Sequence, residues 1–128
     1  MRDLLIDTDV LIWYLRGHAE AGRLLDSLAE PILSAVTYME LMQGCRDKRE
    51  LSLLKKDMGM RGTRILPIDA NISDRAVSLI EIHALSSGLQ MADALIAATG
   101  LIHGLSLVTG NTKHFVALDG LLVERFIP

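Results

Sequence analysis

Three carboxylates in this sequence are embedded in strongly apolar segments. They are Asp7 in LLIDTDVLIW, Glu40 in SAVTYMELMQG and Asp93 in QMADALIAATG. Apolar flanks on both sides predict that each of these side chains is largely buried. None of the three segments contains a Lys or Arg that could neutralise the acid, so each carboxylate needs another kind of partner.

Buried acids without a basic neighbour are costly. Removing an unpaired carboxylate from water costs several kcal/mol, and two carboxylates about 5 Å apart repel by roughly 3 kcal/mol at an effective dielectric constant near 20. Three converging acids would lose about 10 kcal/mol, comparable to the whole stability of a domain. Either each acid has hydrogen bonds of its own, or the three converge on a divalent cation, for which oxygen-only ligands indicate Mg²⁺ or Mn²⁺.

Each acid also has a purely structural interpretation, because each stands near a predicted helix start. The segment 7–9 could cap the helix that follows it, and Thr37-x-x-Glu40 has the spacing of a capping box. Asp93 could complement a helix macrodipole. Capping does not require apolar surroundings, whereas all three acids have them, and this difference favours a shared site.

The elements that would position the acids alternate along the chain. Short apolar runs predict strands at 4–7, 31–34, 64–68, 105–109 and 121–124. Helical patterns fill the intervals, at 9–16, 20–29, 36–46, 50–58, 72–85, 91–103 and 113–118. This alternation predicts an α/β fold whose parallel sheet is covered on both faces. In such a sheet the active crevice lies beyond the carboxyl ends of the strands, where Asp7, Thr109 and Asn111 are expected to meet.

Length and composition bound the class of protein. With 128 residues, 50% of them hydrophobic, the chain is expected to form one globular domain, 1–128. The single Cys45 fits a reducing cytoplasm, the first residues are unlike a signal peptide, and no apolar run is long enough for a membrane span. The net charge of −3 argues against a general nucleic-acid coat protein.

Positive charge is nevertheless concentrated in residues 46–64. The basic residues of this stretch are Arg46, Lys48, Arg49, Lys55, Lys56, Arg61 and Arg64, against Asp47, Glu50 and Asp57. A solvated helical hairpin and a surface that contacts phosphates both explain this pattern.

Four motifs together resemble those of the PIN-domain nucleases, and among these the small VapC-type toxins of toxin–antitoxin pairs. In chain order they are LIDTDVLIW, SAVTYMELMQG, QMADALIAATG, and LVTGNTKHF followed by LDGLLVE. The motifs stand in the family's order and span nearly the whole chain. The resemblance implies a three-layer α/β/α domain, Mg²⁺ held by acids at the strand ends, and hydrolysis of RNA phosphodiester bonds. Asp7, Glu40 and Asp93 match the family's acidic triad.

The sequence departs from the family pattern at the first and last motifs. Asp9 stands where the family often has Asn, and Asn111 stands where many members have a fourth acid. Asn111 can hold a water through its amide, so it is kept as a candidate catalytic residue, but it contributes no charge to a second metal ion. His114, where Asp or Glu is common, is as consistent with a proton donor as with a surface side chain.

The resemblance suggests a role for each residue near the triad. Asp7 and Asp93 would hold one Mg²⁺, and Glu40 would bind it directly or through a water. Thr8 and Thr109 would support the site by orienting waters or phosphate oxygens. The candidates for contact with the RNA backbone are Lys113, Arg46 and Arg49.

The family also implies protein partners, namely a second copy of the chain and a VapB-type antitoxin. The predicted helices within 36–58 are expected to expose apolar side chains beside the basic ones. These are Met39, Met42, Leu51, Leu53, Leu54 and Met58. An antitoxin segment lying over this surface would bring a basic side chain into the acidic site, and Arg suits that task because its fork pairs with two carboxylates at once.

Other classes of protein share parts of the pattern. Haloacid-dehalogenase-type phosphatases also place Asp-x-Asp after a strand, but they need a hydroxyl where this chain has Leu11, and a later Gly-Asp-rich motif. Receiver domains have single helices between their strands, whereas pairs are predicted here. A PIN-like interaction module without activity would not need an intact triad, so the nuclease is the favoured interpretation.

Overall fold

A computed structural model describes residues 3–128, which form strands and helices in alternation. The strands are β1 Leu4–Ile6, β2 Ile32–Ser34, β3 Arg64–Leu66, β4 Ser106–Thr109 and β5 Val123–Arg125. The α-helices are α1 Thr8–Leu15, α2 Ala19–Asp26, α3 Ala35–Gln43, α4 Lys48–Met60, α5 Ala70–Ser87 and α6 Met91–His103. In this part of the chain no helix is both long and apolar enough to cross a membrane.

The strands form one parallel sheet in the order β3-β2-β1-β4-β5. Two helices connect β1 to β2, β2 to β3 and β3 to β4, whereas β4 is connected to β5 by residues 110–122, which contain only a 3₁₀ turn at Thr112–His114. Leu5 at the centre of the sheet pairs with Ile32 on one side and with Leu107 on the other. The predicted parallel sheet is therefore confirmed, and the carboxyl ends of β1 and β4 lie side by side.

Alternate residues of the central strands contribute to two hydrophobic cores. Leu5 and Leu107 pack in a cluster with residues of α5 and α6. Leu4, Ile6 and Val108 pack in a second cluster with residues of α1, α2 and α4. Because successive strand residues point to opposite faces, the two clusters are the two sides of a three-layer α/β/α arrangement, as expected.

The capping-box interpretation of Thr37 and Glu40 is wrong. Helix α3 already begins at Ala35, and its cap is Ser34, whose side chain accepts a hydrogen bond from the Val36 amide at 3.1 Å. Ser34 is also the last residue of β2, so the chain passes from strand to helix without a loop. Glu40 thus stands in the middle of α3 and not in its first turn, so capping does not explain why an acid occupies this position.

The helix predicted for 113–118 is also wrong, because only a 3₁₀ turn over Thr112–His114 forms there. The amides of His114, Phe115 and Leu118 each donate to a carbonyl three residues back. The Val116 amide also donates to the Thr112 carbonyl four residues back, but a segment this short does not sustain an α-helix by itself.

The apolar surface predicted for α3 and α4 is only partly exposed. Leu54 and Met58 are buried because they pack into the core beneath α1 and α2. Met39 and Leu53 are exposed, at 46% and 56%. The partly buried members are Met42 and Leu51. The prediction therefore holds for an outer strip of this surface and is wrong for its inner side.

Candidate functional site at the sheet edge

Asp7 lies at the point where β1 passes into α1, and it is almost completely buried at 5% exposure. Its amide donates to the Val108 carbonyl at 3.0 Å, which ties it to β4. One carboxylate oxygen accepts from the Thr8 amide at 2.9 Å and the other from the Thr109 hydroxyl at 2.7 Å. Asp7 therefore caps α1, and the same side chain is held in place by the end of the neighbouring strand.

Burial makes the charged form of Asp7 unfavourable. It raises the pKa of Asp7 to about 6, against the effect of the Thr109 hydrogen bond, and the nearby charges of Asp9 and Asp93 add to the rise. No Lys or Arg side chain forms an ion pair with Asp7 within residues 3–128. The carboxylate is thus positioned by hydrogen bonds while its charge remains uncompensated.

Asp9 joins this site by a contact that the sequence does not reveal. Its Oδ2 atom accepts hydrogen bonds from the Gly110 amide at 2.9 Å and from Asn111 Nδ2 at 3.2 Å. The backbone N–H of Asn111 in turn donates to the Thr109 hydroxyl oxygen at 3.0 Å. A Cβ atom on Gly110 would lie 2.7 Å from Asp9 Oδ2, so a larger residue at this position would displace the carboxylate oxygen. Burial raises the pKa of Asp9 as well.

Glu40 is exposed, so the prediction of burial is wrong for this acid. Its position on α3 directs the carboxylate toward the start of α1, where Oε1 accepts a hydrogen bond from the Thr8 hydroxyl at 2.6 Å. The same Thr8 oxygen lies 3.1 Å from the hydroxyl oxygen of the fully buried Thr37. Thr8 therefore holds Glu40 at the site, and Thr37 supports Thr8.

Asp93 stands in the first turn of α6 and is partly buried, with 22% of its side chain exposed. Its Oδ2 atom lies 3.3 Å from Nδ1 of His114. Burial raises the pKa of Asp93, the nearby His114 opposes this rise, and the charges of Glu40 and Asp9 add to it. His114 thus faces the site and is not an isolated surface side chain.

The acids predicted from sequence are therefore brought to one edge of the sheet, with Asp9 beside them. No three Asp, Glu, His or Cys side chains among residues 3–128 already stand in a geometry that could hold a metal ion. The chemistry of the donors nevertheless suits a hard cation, because they are carboxylate oxygens. One of them, Asp9 Oδ1, is buried and lacks a hydrogen-bond partner in the described part of the chain. Glu40 is exposed, and its carboxylate is held near these acids by the Thr8 hydroxyl.

A groove of about 1110 Å³ extends from this site between α1 and the α3–α4 pair, and Glu40 lies in its wall. Its exposed apolar residues are Ile12, Leu15, Leu53 and Met60. Its basic residues are Arg16, Arg46 and Lys56. The groove thus combines an acidic end with apolar and basic walls.

The basic candidates are distributed unevenly around the groove. Arg46 lies in its wall and pairs with Glu50 at 2.8 Å, although 86% of the Arg46 side chain remains exposed. Arg49 is exposed but is not among the lining residues. Lys113 is exposed and directly precedes His114, which lies against Asp93. Arg61 is engaged by Tyr14 and Asp26 and serves to join the helices.

Comparison with known proteins agrees with this geometry. A family model of the PIN domain matches residues 4–121. Ribonuclease VapC10 of Mycobacterium tuberculosis is 32% identical over 131 residues, which cover 98% of this chain and 95% of that protein.

Solved structures show the same fold. A chain of a toxin–antitoxin complex from Klebsiella pneumoniae matches with a TM-score of 0.78 and 30% identity, covering 93% of this chain and 95% of that one. A chain of DNA-bound VapBC from Salmonella typhimurium matches with a TM-score of 0.82 and 20% identity over 98% of each chain, a likeness of fold. With its motifs in order, its acids at the sheet edge and these matches over nearly its full length, the chain belongs to the PIN domain family.

Proposed function

We propose that this protein is a divalent-metal-dependent endoribonuclease and the toxin of a toxin–antitoxin pair that acts in the cytoplasm. The observation that carries the proposal is the convergence of Asp7, Glu40 and Asp93 from three separate segments at one edge of the sheet, with no Lys or Arg of residues 3–128 paired to them. Such a concentration of negative charge is unfavourable in a structure without a cation. The proposed function is also supported by the similarity of this chain to a protein named as a ribonuclease.

Mg²⁺ is the cation that we propose, with Mn²⁺ as a substitute. Asp7 and Asp93 would bind it directly, and Glu40 would rotate from Thr8 to bind it or to hold one of its waters. A bound Mg²⁺ supplies polarisation of the scissile phosphate and activation of the attacking water. Thr109 would keep the Asp7 carboxylate in its orientation, because its hydroxyl already donates to Asp7.

The substrate would lie across the sheet edge with its backbone near the exposed cations. Arg46 in the groove wall and Lys113, next to His114 in the chain, would contact phosphates of the RNA backbone. Arg49, which is exposed on α4 but does not line the groove, would contact the RNA backbone outside the groove. Hydrolysis needs no covalent nucleophile here, and Cys45 is engaged by the Leu41 carbonyl at 3.4 Å.

The test is incubation of the purified protein with total RNA in the presence of Mg²⁺, Mn²⁺ or EDTA. We expect discrete cleavage products with either metal ion and none in EDTA, with activity restored when excess Mg²⁺ is added back. Cleavage that continues in EDTA would contradict the metal-dependent mechanism. An absence of cleavage with every metal ion and RNA would support the alternative of an inert interaction module.

The groove between α1 and the α3–α4 pair is proposed as the site of an antitoxin segment, and the toxin as a homodimer within that complex. The groove exposes apolar side chains as well as basic ones, and Glu40 of the acidic site lies in its wall, so an amphipathic segment that brings a basic residue to the acids would fit it. An Arg from that segment would pair with the acids and replace the charge of the cation. The antitoxin would then bind the groove and inhibit the adjacent acidic site with a single segment.

We expect Leu53→Asp to abolish co-purification of this protein with the product of the adjacent small reading frame. Leu53 is exposed in the groove wall, and the added carboxylate would be desolvated by an apolar partner at a cost of several kcal/mol. Leu122→Asp is the matched control, because Leu122 is 72% exposed and does not line the groove. Size-exclusion chromatography and pull-down report the complex. Retention of the complex by Leu53→Asp, or its loss in Leu122→Asp, would contradict this placement.

A further inference from the structure

The two carboxylate oxygens of Asp9 have very different surroundings. Oδ2 accepts two hydrogen bonds, from Gly110 and from Asn111. Oδ1 is buried and has no hydrogen-bond partner among residues 3–128. A buried acceptor without a partner is rare and costs free energy, more so when it belongs to a charged group. An unpartnered carboxylate oxygen beside other acids therefore requires an explanation.

Helix capping does not supply that explanation. The cap of α1 is Asp7, whose side chain accepts from the Thr8 amide. Asp9 stands two residues later, and its Oδ2 reaches out of the helix to the loop that follows β4. Glycine at position 110 leaves room for this oxygen, since a Cβ atom there would lie 2.7 Å from Oδ2. The chain thus fixes one oxygen of Asp9 firmly and leaves the other oriented without a protein partner.

The position of Asp9 relates Oδ1 to the proposed metal site. Asp9 lies within electrostatic reach of both Asp7 and Asp93, because its charge acts unfavourably on each of them. Carboxylates that bind metal ions are commonly oriented by hydrogen bonds from groups that do not touch the metal. The bonds from Gly110 and Asn111 orient the Asp9 carboxylate in this way. A cation placed among these acids would also satisfy Oδ1.

We propose that Asp9 is a further ligand of the divalent cation, binding it through Oδ1 while Oδ2 stays bonded to Gly110 and Asn111. This inference rests on the proposed function, because it concerns the same cation. It changes the role of Asn111, which becomes a positioning residue that orients Asp9. An amide suits that role because it donates to Oδ2, whereas an acid at position 111 would repel the Asp9 carboxylate.

The variant that tests this is Asp9→Asn. Asn keeps an oxygen acceptor for Gly110 and Asn111 and exchanges Oδ1 for a neutral amide that cannot bind a cation. Mn²⁺ binding to the purified, metal-free protein is measured by electron paramagnetic resonance and by calorimetry, with no RNA present. We expect Asp9→Asn to weaken Mn²⁺ binding at least tenfold, and Asn111→Ala to weaken it by a smaller factor.

Asp93→Asn serves as the reference variant. It separates the hypothesis that Asp9 is a ligand from the hypothesis that the site binds a divalent cation at all. If the wild type binds Mn²⁺, Asp93→Asn loses binding and Asp9→Asn retains wild-type affinity, the role of Asp9 is refuted and the proposed function stands. If the wild type does not bind Mn²⁺, both are refuted. Circular dichroism in EDTA completes the test, because Asp9→Asn should fold as well as the wild type. An Asp9→Asn chain that fails to fold would show that the charge is a structural requirement, and this too would overturn the inference.

Discussion

Replacing Asp7, Glu40 or Asp93 with the corresponding amide should reduce RNA cleavage at saturating Mg²⁺ by at least about a hundredfold. The amides are nearly isosteric with the acids, and the side-chain oxygen in the Glu40→Gln variant would still accept the hydrogen bond from the Thr8 hydroxyl. In Glu40→Gln the loss therefore comes from charge, whereas Asp7→Asn also exchanges one of two accepting oxygens for an amide nitrogen. A ligand that no longer helps to hold the cation forfeits about 3 kcal/mol of transition-state stabilisation, which corresponds to this factor in rate.

The control for these variants is Glu81→Gln, which removes one negative charge from an exposed position on α5. It should cleave RNA at the wild-type rate, because it alters the net charge by the same amount without touching the site. Initial rates on a defined RNA are measured for all four variants. Wild-type activity in any of the three site variants would contradict the role proposed for that acid.

The sequence is sufficient to place the acids at one edge because parallel topology has simple geometric rules. The apolar run before Asp7 predicts β1, and the run before Thr109 predicts β4. Strands that alternate with helices along the chain favour a parallel sheet, in which the carboxyl ends of neighbouring strands lie at the same edge. The hydrogen bond from the Thr109 hydroxyl to Asp7 is the observed result of that rule. The order of strands and helices along the chain was also predictable, because each is indicated by a local pattern of apolar residues.

What the sequence could not supply are contacts between side chains that are distant in the chain. The apolar neighbours of Glu40 predicted its burial, yet those neighbours pack on other faces of α3 and leave the carboxylate exposed beside Thr8. Apolar flanks report the environment of a helix, not the direction of one side chain on it. The bond from Gly110 to Asp9 spans 101 residues and has no local signature.

The Asp7 environment connects these observations to stability. Burial of the Asp7 carboxylate at the sheet edge makes its charge unfavourable when no cation is present. Asp93 is relieved in part by His114, whereas no basic group is paired with Asp7 in residues 3–128. The acid with the largest cost in the metal-free protein is thus Asp7, and its replacement should have the largest effect on folding.

In EDTA at pH 7, Asp7→Asn should be more stable than the wild type by about 3 kcal/mol, or about 10 °C in Tm. The folded chain raises the pKa of Asp7 to about 6 from its usual 3.8, so the folded state binds this proton more tightly than the unfolded state does. The resulting stabilisation of the wild type is fully present below pH 3.8 and is lost as the pH rises through about 6. The advantage of Asp7→Asn should therefore be small at pH 4 and grow between these two values.

Urea denaturation of both proteins at a series of pH values, with EDTA throughout, measures this difference directly. Comparing the two proteins at each pH cancels the contributions of acids that they share. Excess Mg²⁺ at pH 7 should then stabilise the wild type and reduce or reverse the advantage of Asp7→Asn, because a ligand adds stability only where its site is intact. A variant that is less stable than the wild type in EDTA at pH 7 would show that the helix cap supplied by Asp7 outweighs the cost of its buried charge.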